Sequence, residues 1–417
     1  MQNDRKFSGP QGTKNRVSHF RLYLFTSFLG NLIAPIFSFF LPILAVGIGA
    51  TVFEVGLIGG AENIVYAFMP FVMGHFTDRG RSRHFFIISG FGVLTVVSLF
   101  YSIASNPVAL IVARLFEGLG WAMLWPAIES SITVETSGNS GRALSLFNSS
   151  WSLGAAIGPL VGGVLIVFGS MRLAYIATGV MLGGALLVNL VSMIRNKNEE
   201  STANDHKNGS YSFVSAIRQV FQRYDQKKNF QIRLYVASLV LSYVAVGVLY
   251  TFFGPYAKTL KMSLLLIAAL PVTFGLLRFL IYVLTTHENF RSKLLSPDKR
   301  NRIVFVSLLV ACSSTLLLLV RDPTGAIYFV AFGLFAAGFS LVYFVSQVGM
   351  IAEANEMQMG AGAGIFESAI GLGSAAGPII AGSISSGSLS IAFLVPPAGF
   401  VIVTLLLGID GKRRGIL

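Results

Sequence analysis

Five charged residues stand out in this 417-residue sequence because they lie inside long apolar runs: Glu62, Arg114, Glu117, Arg278 and Glu367. A charge in such surroundings needs a counter-ion, a proton or a ligand to offset the cost of burial. Arg114 and Glu117 are three residues apart, a spacing that places side chains on one face of a helix. These residues indicate proton binding, ion pairing or recognition of a charged ligand.

The surrounding composition defines the class of protein. Ala, Val, Ile, Leu, Met, Phe, Trp, Tyr and Cys make up 54% of the residues, and only 12% are charged. The mean hydropathy is +0.71. These values exclude a water-soluble globule and indicate an integral membrane protein.

A helix needs about 20 apolar residues to cross the hydrocarbon core of a bilayer. Twelve stretches meet this requirement, at 20–45, 51–76, 84–104, 107–131, 143–168, 172–194, 231–257, 263–286, 303–320, 325–351, 361–386 and 390–409. Their apolar residues are continuous rather than alternating, which favours helices over a barrel. The predicted fold class is an all-α integral membrane protein with twelve transmembrane helices in two six-helix bundles.

The basic residues predict the orientation of these helices. With the N-terminus in the cytoplasm, 25 of the 31 Lys and Arg residues fall in the tails, the central linker, the cytoplasmic loops or the adjoining ends of spans, as the positive-inside rule requires. We therefore expect a multi-pass protein of the cell membrane with both termini in the cytoplasm. The net charge of +13 reflects this orientation, so nucleic acid is not an expected partner.

A polar stretch divides the chain into two halves. The predicted organisation is a cytoplasmic tail (1–19), a six-helix bundle (20–194), a cytoplasmic linker (195–230), a second six-helix bundle (231–409) and a cytoplasmic tail (410–417). The second part of the linker has apolar residues at helical spacing beside basic ones. It is either an amphipathic helix on the membrane surface or an unstructured tether.

The two halves carry an internal repeat. A shift of 219 residues places GAAIGPLVGG (154–163) on GSAAGPIIAG (373–382), with five of ten positions identical. Two fused, parallel six-helix units around a central pathway are the architecture that this repeat predicts.

The loop after the second span reads GHFTDRGRSR (74–83), and the fourth span contains RLFEGLGWA (114–122). The two segments resemble the G-x-L-A-D-R-x-G-R-R and R-x-x-Q-G-x-G-A motifs of the major facilitator superfamily. The loop matches at four positions, which are Gly74, Asp78, Arg79 and Arg83. The resemblance implies a conformational latch in which Asp78 holds the two halves together when the cavity opens outward. A solvated basic loop is the alternative.

The fifth span resembles the G-x-x-x-G-P-x-x-G-G motif of exporters and antiporters in this superfamily. Its residues are Gly154, Gly158, Pro159, Gly162 and Gly163, and the eleventh span carries a near copy at Gly377 and Pro378. The glycines allow close helix packing, and the prolines remove backbone donors. The motif therefore favours export, although small-residue packing explains both copies without a transport direction.

Depth along the spans ranks the buried carboxylates. Glu62 and Glu117 each lie 11 residues into a span that runs from outside inward, about 16 Å deep at 1.5 Å per residue. They are the first candidates for proton coupling, and Glu367 is the next. Arg278 and Glu367 fall in the inner third, where we expect them to pair. Glu117 stands where the superfamily motif has Gln, so Arg114 and Glu117 form either a structural ion pair or a titratable one.

Polar and aromatic residues on the helices expected to line a central cavity are candidate substrate contacts. They are Asn31, Asn63, Tyr66, Arg114, Trp121, Asn148, Trp151, Tyr250, Arg278, Tyr343 and Gln347. Apolar walls with a few polar anchors suit a mid-sized amphipathic molecule.

The sequence contains no phosphate-binding loop, no zinc-protease or hydrolase motif and only one cysteine. We therefore expect neither an enzyme nor a metal or organic cofactor, with protons as the coupling ion. The predicted function is secondary active transport by alternating access, with proton-coupled export of a small or amphipathic molecule by a monomer in membrane lipid. The alternatives are an uptake symporter or facilitator of the same fold, and a lipid-moving or sensor membrane protein.

Overall fold

The structure, a computed structural model, describes residues 10–78, 83–135, 140–195, 226–296, 299–352, 359–385 and 387–413. Within these ranges the chain is almost entirely helical, and twelve helices are long and apolar enough to cross a membrane. Their α-helical parts are α1 (Pro10–Gly47), α2 (Val52–Asp78), α3 (Arg83–Ile103), α4 (Pro107–Glu135), α5 (Ser140–Phe168), α6 (Met171–Arg195), α7 (Gln226–Thr259), α8 (Leu264–Thr285), α9 (Arg300–Ser314), α10 (Ala326–Gln347), α11 (Met359–Ile384) and α12 (Val395–Arg413). The ninth span continues through the 3-10 turn Thr315–Leu319, and the twelfth begins with the 3-10 turn Leu389–Leu394. A short helix, Glu288–Leu295, follows α8.

The fold class predicted from hydropathy is confirmed. Several helices extend beyond their apolar stretch: α1 begins at Pro10, α4 ends at Glu135 and α7 begins at Gln226. Polar residues can continue a helix into water, so the apolar run predicts the membrane crossing better than the helix ends. The linker residues 196–225, including most of the predicted amphipathic segment, lie outside the described residues.

The two halves repeat the same packing contact. A Cβ added at Gly158 of α5 would overlap the carbonyl oxygen of Leu32 in α1. A Cβ added at Gly377 of α11 would overlap the carbonyl oxygen of Val244 in α7 in the same way. These glycines are 219 residues apart, so the sequence repeat corresponds to a structural repeat in which small residues let two helices approach closely.

The last helix of each half lies at the periphery. Only 28% of the α6 span and 22% of the α12 span is buried, compared with 67% of the α1 span. Exposed leucine and valine side chains on these outer helices are what a lipid environment requires. The core of the molecule therefore lies along α1 and its neighbours, between the two halves.

Glycines let the two halves approach closely at several levels of the bundle. Near the end opposite the described termini, a Cβ at Gly56 of α2 would lie 2.6 Å from the carbonyl oxygen of Pro378 in α11. Towards the other end, a Cβ at Gly371 of α11 would lie 2.6 Å from the backbone of Ala67 in α2. These glycines leave no room for a side chain, so α2 and α11 pack backbone against backbone across the two halves.

Candidate functional site

Arg114 joins two carboxylates from two helices. Its Nη1 lies 2.8 Å from Glu117 Oε2 on the same helix, α4, and its Nη2 forms an ion pair with Glu62 Oε2 on α2. Its Nε donates to the backbone oxygen of Ile58, at 3.0 Å. We call Glu62, Arg114 and Glu117 the charge cluster. Every guanidinium nitrogen of Arg114 thus has a partner within the protein.

The two carboxylates of the charge cluster differ in their surroundings. Glu117 is fully buried and also accepts hydrogen bonds from Tyr101 Oη at 2.6 Å and from Trp121 Nε1 at 3.0 Å. Glu62 is 13% exposed, and within the described part of the chain its side chain is held by the Arg114 ion pair alone. Glu117 is therefore the better stabilised anion, and Glu62 is the more accessible of the two.

A glycine lets α2 approach α4 closely enough for these contacts. A Cβ at Gly118 would overlap the backbone oxygen of Glu62 and would come within 3.0 Å of Val65. Gly118 belongs to the motif that the sequence shares with the superfamily. Its lack of a side chain therefore brings Glu62 within reach of Arg114.

The charges of the cluster do not balance. One guanidinium faces two carboxylates, so the cluster carries a net charge of −1 with both carboxylates ionised and is neutral when one of them binds a proton. Removing one partner from a buried ion pair typically costs about 3–5 kcal/mol, because the remaining charge stays buried. The arrangement can therefore bind a single proton while remaining cross-linked by Arg114.

Arg278 on α8 is the second buried cation, and its surroundings are different. Its guanidinium carbon lies 4.3 Å from the ring centroid of Trp151 on α5 and 4.6 Å from that of Phe274. The side chain is 5% exposed, and its Nε and Nη2 have no hydrogen-bond partner within the described part of the molecule. We call Arg278, Trp151, Phe274 and the neighbouring Tyr282 the Arg278 site.

Aromatic contacts do not fully compensate this charge. A desolvated cation–π contact contributes about 2 kcal/mol, whereas burying an ion costs several kcal/mol even after relaxation. The two ring contacts therefore offset only part of the cost of burying Arg278, and its Nε and Nη2 still lack hydrogen-bond acceptors in the described structure. Arg278 is therefore chemically able to bind an anion from outside the chain.

Polar side chains connect the two halves beside this site. Asn148 Nδ2 on α5 donates to Gln347 Oε1 on α10 at 2.8 Å, and Trp151 Nε1 donates to Asn148 Oδ1 at 2.9 Å. The Trp151 ring packs edge-on against Tyr343, with centroids 5.6 Å apart. Five of the predicted cavity residues, Asn148, Trp151, Arg278, Tyr343 and Gln347, are thus brought together.

Glu367 does not pair with Arg278 as the sequence predicted. Its Oε2 accepts a hydrogen bond from Tyr66 Oη, at 2.8 Å, which links α11 to α2 across the two halves. The prediction failed because similar depth does not fix the direction in which a helix presents a side chain. Glu367 faces α2, whereas Arg278 faces Trp151 on α5.

The remaining predicted cavity residues are dispersed. Asn31 donates to the backbone oxygen of Ser27 on its own helix, and Asn63 is half-buried. Tyr250 packs against Phe274, with ring centroids 6.3 Å apart. Arg114 belongs to the charge cluster, and Trp121 donates a hydrogen bond to Glu117 of that cluster.

The predicted latch remains a prediction. Gly74 and Asp78 lie at the end of α2 and Arg83 begins α3, but their side chains are not described. Arg79 lies outside the described residues. The structure therefore gives only the helical backbone on either side of this loop.

Three residues that contact the buried charges were not predicted from the sequence: Tyr101, Phe274 and Tyr282. Tyr101 lies in the apolar third span, where nothing marks it as a partner of Glu117. Tyr282 is four residues after Arg278, and this helical spacing places it on the same face of α8. Its ring centroid lies 5.9 Å from that of Trp151.

Twelve membrane-spanning helices in two related halves, with buried charges at mid-bundle, define a polytopic membrane protein of the secondary-transporter class. The profile of the Major Facilitator Superfamily matches residues 23–343, and the chain belongs to this family of transporters.

Individual proteins resemble the chain at low sequence identity. An uncharacterised MFS-type transporter of Methanocaldococcus jannaschii is 26% identical over 350 residues, which cover 78% of this chain and 87% of that protein. A probable hexose phosphate transport protein of Chlamydia trachomatis serovar D is 28% identical over 188 residues, 42% of this chain and 40% of that protein. The crystal structure of the nucleoside transporter NupG matches with a TM-score of 0.70 at 12% identity, over 94% of this chain and 99% of that chain. This last similarity concerns the fold alone.

Proposed function

We propose that the protein is a proton-coupled secondary transporter that exports a small amphipathic molecule by alternating access. The observation that carries the proposal is the charge cluster, in which two buried carboxylates share one guanidinium. The cluster has a place for one proton, and gaining or losing that proton changes its net charge at mid-membrane depth. Such a change is what a proton-driven transporter needs to couple an ion gradient to movement.

Glu62 is the residue to which we assign the proton. Glu117 is stabilised as an anion by three donors, from Tyr101, Arg114 and Trp121. Among the described residues, Glu62 has only the ion pair to Arg114, and it retains some exposure. Protonation of Glu62 therefore loses fewer interactions than protonation of Glu117.

Helix α2 connects the proton site to the contact between the halves. Tyr66 lies one helical turn after Glu62 and donates to Glu367 on α11. One residue further along, the backbone oxygen of Ala67 accepts a hydrogen bond from Ser368, at 2.9 Å. A proton on Glu62 weakens its ion pair with Arg114 and therefore the contact between α2 and α4. Since α2 also contacts α11, a shift of α2 alters the contact between the two halves.

The contacts between the halves suit alternating access. Close contacts of small residues join the halves at the end opposite the described termini, as at Gly56 and Pro378. Towards the other end, the halves are joined by the Tyr66–Glu367 and Asn148–Gln347 hydrogen bonds. Both kinds of contact can separate without breaking a helix, which supports rocking of one half against the other.

We assign the outward direction from the α5 motif, and we place both termini in the cytoplasm from the distribution of basic residues. Gly158 of α5 and Gly377 of α11 make equivalent packing contacts in the two halves. The proposed direction of transport therefore rests on the resemblance of the α5 sequence to exporters, and the vesicle experiment below tests it.

The test uses inverted membrane vesicles that contain the protein and are energised to acidify their interior. Aromatic anions, cations and neutral compounds are added in turn, and release of the pH gradient is followed with a quenched acridine dye. We expect at least one class of compound to release the gradient with the wild-type protein, and Glu62→Gln to abolish this release.

Glu54→Gln is the matched control, because Glu54 lies on the same helix and bonds only to the nearby Thr51. We expect Glu54→Gln to behave as wild type. Unchanged release in a Glu62→Gln, Glu117→Gln double variant would contradict the proton site. If a test compound accumulated only in right-side-out vesicles, and only with a proton gradient, the protein would be an uptake transporter rather than an exporter.

A further inference from the structure

We infer that Arg278 binds the negatively charged group of the substrate, and that this substrate is an organic oxyanion with a planar apolar body. The inference deepens the proposed function and rests on it, since it names the chemical class that the transporter carries. It concerns equilibrium binding, which is measured without a proton gradient.

The unused donors of Arg278 lie on one edge of its guanidinium. Nε and Nη2 are the two atoms without partners, and their N–H groups point in parallel from that edge. This pair is the fork that holds the two oxygens of a carboxylate, sulfonate or phosphate group. The geometry is thus that of a bidentate oxyanion site without its anion.

The chain supplies no counter-ion to this fork among its described residues. The buried carboxylates Glu62 and Glu117 are both bound to Arg114, and Glu367 is bound to Tyr66. A buried guanidinium is costly without a negative partner, and here the carboxylates that could serve are engaged elsewhere. An external anion is the remaining source of compensation.

The walls of the site predict the rest of the ligand. The rings of Trp151 and Phe274 lie against the guanidinium. The rings of Tyr282 and Tyr343, whose centroids are 5.9 Å apart, pack against Trp151. The hydroxyl of Tyr282 is buried without a partner in the described structure. A flat apolar body packs against such rings, and the free hydroxyl offers one more donor to its anionic group.

The site also lies where a transported ligand must bind. Trp151 belongs to α5 in the first half, and Arg278 belongs to α8 in the second. The Asn148–Gln347 bond, beside Trp151, crosses between the same halves. A ligand held by both halves is released when they separate, as alternating access requires.

The experiment measures binding to the full-length protein in detergent by calorimetry, with four small ligands that differ in charge or in the presence of an aromatic ring. The probes are benzenesulfonate, the neutral benzamide, the cationic phenyltrimethylammonium and methanesulfonate, which lacks the ring. We expect benzenesulfonate to bind at least about tenfold more tightly than each of the others, the effect of one good charge-assisted contact. Equal binding of benzamide would overturn the assignment of an anion, and equal binding of methanesulfonate would overturn the apolar body.

Arginine variants locate the site. Arg278→Gln is expected to bind benzenesulfonate no better than benzamide, and Arg278→Lys, which keeps the charge but loses the fork, is expected to bind it at least about tenfold more weakly than wild type. Arg233→Gln is the matched control, because Arg233 pairs with Asp410 and is 39% exposed. Retained preference for the anion in both Arg278 variants would overturn the proposal.

An anionic lipid is the other source of an oxyanion, so the titration is repeated in nanodiscs with and without phosphatidylglycerol. We expect the affinity for benzenesulfonate to be the same in both, and competition by the lipid would contradict a soluble substrate. The two proposals can fail separately. If binding depends on Arg278 but no compound releases the pH gradient in vesicles, the proton coupling is refuted and the anion site is retained. If only neutral compounds release the pH gradient, the anion site is refuted and the proton coupling is retained.

Discussion

The charge cluster and the Arg278 site each contain a buried arginine, and the two arginines are satisfied in opposite ways. All three guanidinium nitrogens of Arg114 are bound within the protein, to Glu62, Glu117 and the backbone of Ile58. Arg278 has aromatic rings over its guanidinium and two nitrogens without partners in the described structure. The first site is complete in itself, whereas no described residue supplies a counter-ion to the second.

This difference separates two roles that a buried charge can have. In the proposed mechanism, the saturated cluster with its excess carboxylate exchanges a proton while Arg114 still joins α2 to α4. The unsaturated arginine at the contact between the halves is proposed to bind and release an anion. We therefore assign the proton to the first half of the chain and the substrate charge to the boundary between the halves.

The largest expected effect is a difference in stability between variants of the two buried arginines. Arg114→Gln leaves two buried carboxylates without their cation, and we expect a loss of about 3–5 kcal/mol in the free energy of unfolding. Arg278→Gln removes an uncompensated charge, and we expect no loss of stability. Thermal unfolding in detergent measures both, with Arg233→Gln as the reference for an exposed pair. An equal loss in Arg114→Gln and Arg278→Gln would show that Arg278 is a structural residue.

A second pair of variants compares tyrosines. Tyr101 donates to the Glu117 carboxylate, at 2.6 Å, and a hydrogen bond to a charged group contributes about 1.5–3 kcal/mol. We expect Tyr101→Phe to lose stability in this range. Tyr282→Phe removes a hydroxyl without a partner, and a change within about 0.5 kcal/mol is expected. Chemical denaturation of both variants checks the difference, and a larger loss in Tyr282→Phe would reverse the comparison.

A third pair tests the packing that positions Glu62. Gly118→Ala places a methyl group against the backbone oxygen of Glu62, and we expect a loss of about 1–3 kcal/mol from overpacking. Gly333→Ala on α10 meets no atom within 4 Å, and a gain of about 0.5–1 kcal/mol is expected from the lower entropy of the unfolded chain. Melting curves of the two variants measure this difference. If Gly118→Ala were as stable as Gly333→Ala, the close approach of α2 to α4 would be contradicted.

The smallest effect concerns a carboxylate in the α9–α10 loop, which serves as a reference outside both sites. Hydrogen bonds from Thr324, first from its side chain, and from the backbone of Ile327 lower the pKa of Asp322 below its ordinary value. Its contribution to stability is therefore present above the pKa of the unfolded chain and is lost as the pH falls through the lower folded pKa. Melting temperatures should show this acid-dependent loss in wild type and a weaker one in Asp322→Asn, and identical acid profiles would contradict the capping contacts.

The sequence predicted well how deep each residue lies along its helix, but it predicted poorly which neighbouring helix each side chain faces. Hydropathy located all twelve spans, and the i, i+3 spacing predicted the Arg114–Glu117 pair. Counting residues also placed Glu62 at the level of Glu117, where the structure joins both to Arg114. These features depend only on distance along a helix.

The features that the sequence did not predict depend on how each helix is rotated. Arg278 and Glu367 were placed at one depth and expected to pair, yet they face different helices. Tyr101 reaches Glu117 from α3 because the two helices pack together. Rotation follows from the packing of the whole bundle, which one sequence does not reveal.

The most direct test of the two-site account uses the three tryptophans of the chain. Trp121 bonds to Glu117 in the charge cluster and stacks on Trp125, with centroids 5.6 Å apart, whereas Trp151 lies over Arg278. Fluorescence is titrated across neutral pH in Trp151→Phe and in the Trp121→Phe, Trp125→Phe double variant. We predict a transition in Trp151→Phe that disappears when Glu62→Gln is added, and a flat profile in the double variant, which retains Trp151. A transition seen only by Trp151, or one that persists without Glu62, would contradict the assignment of the proton to the charge cluster.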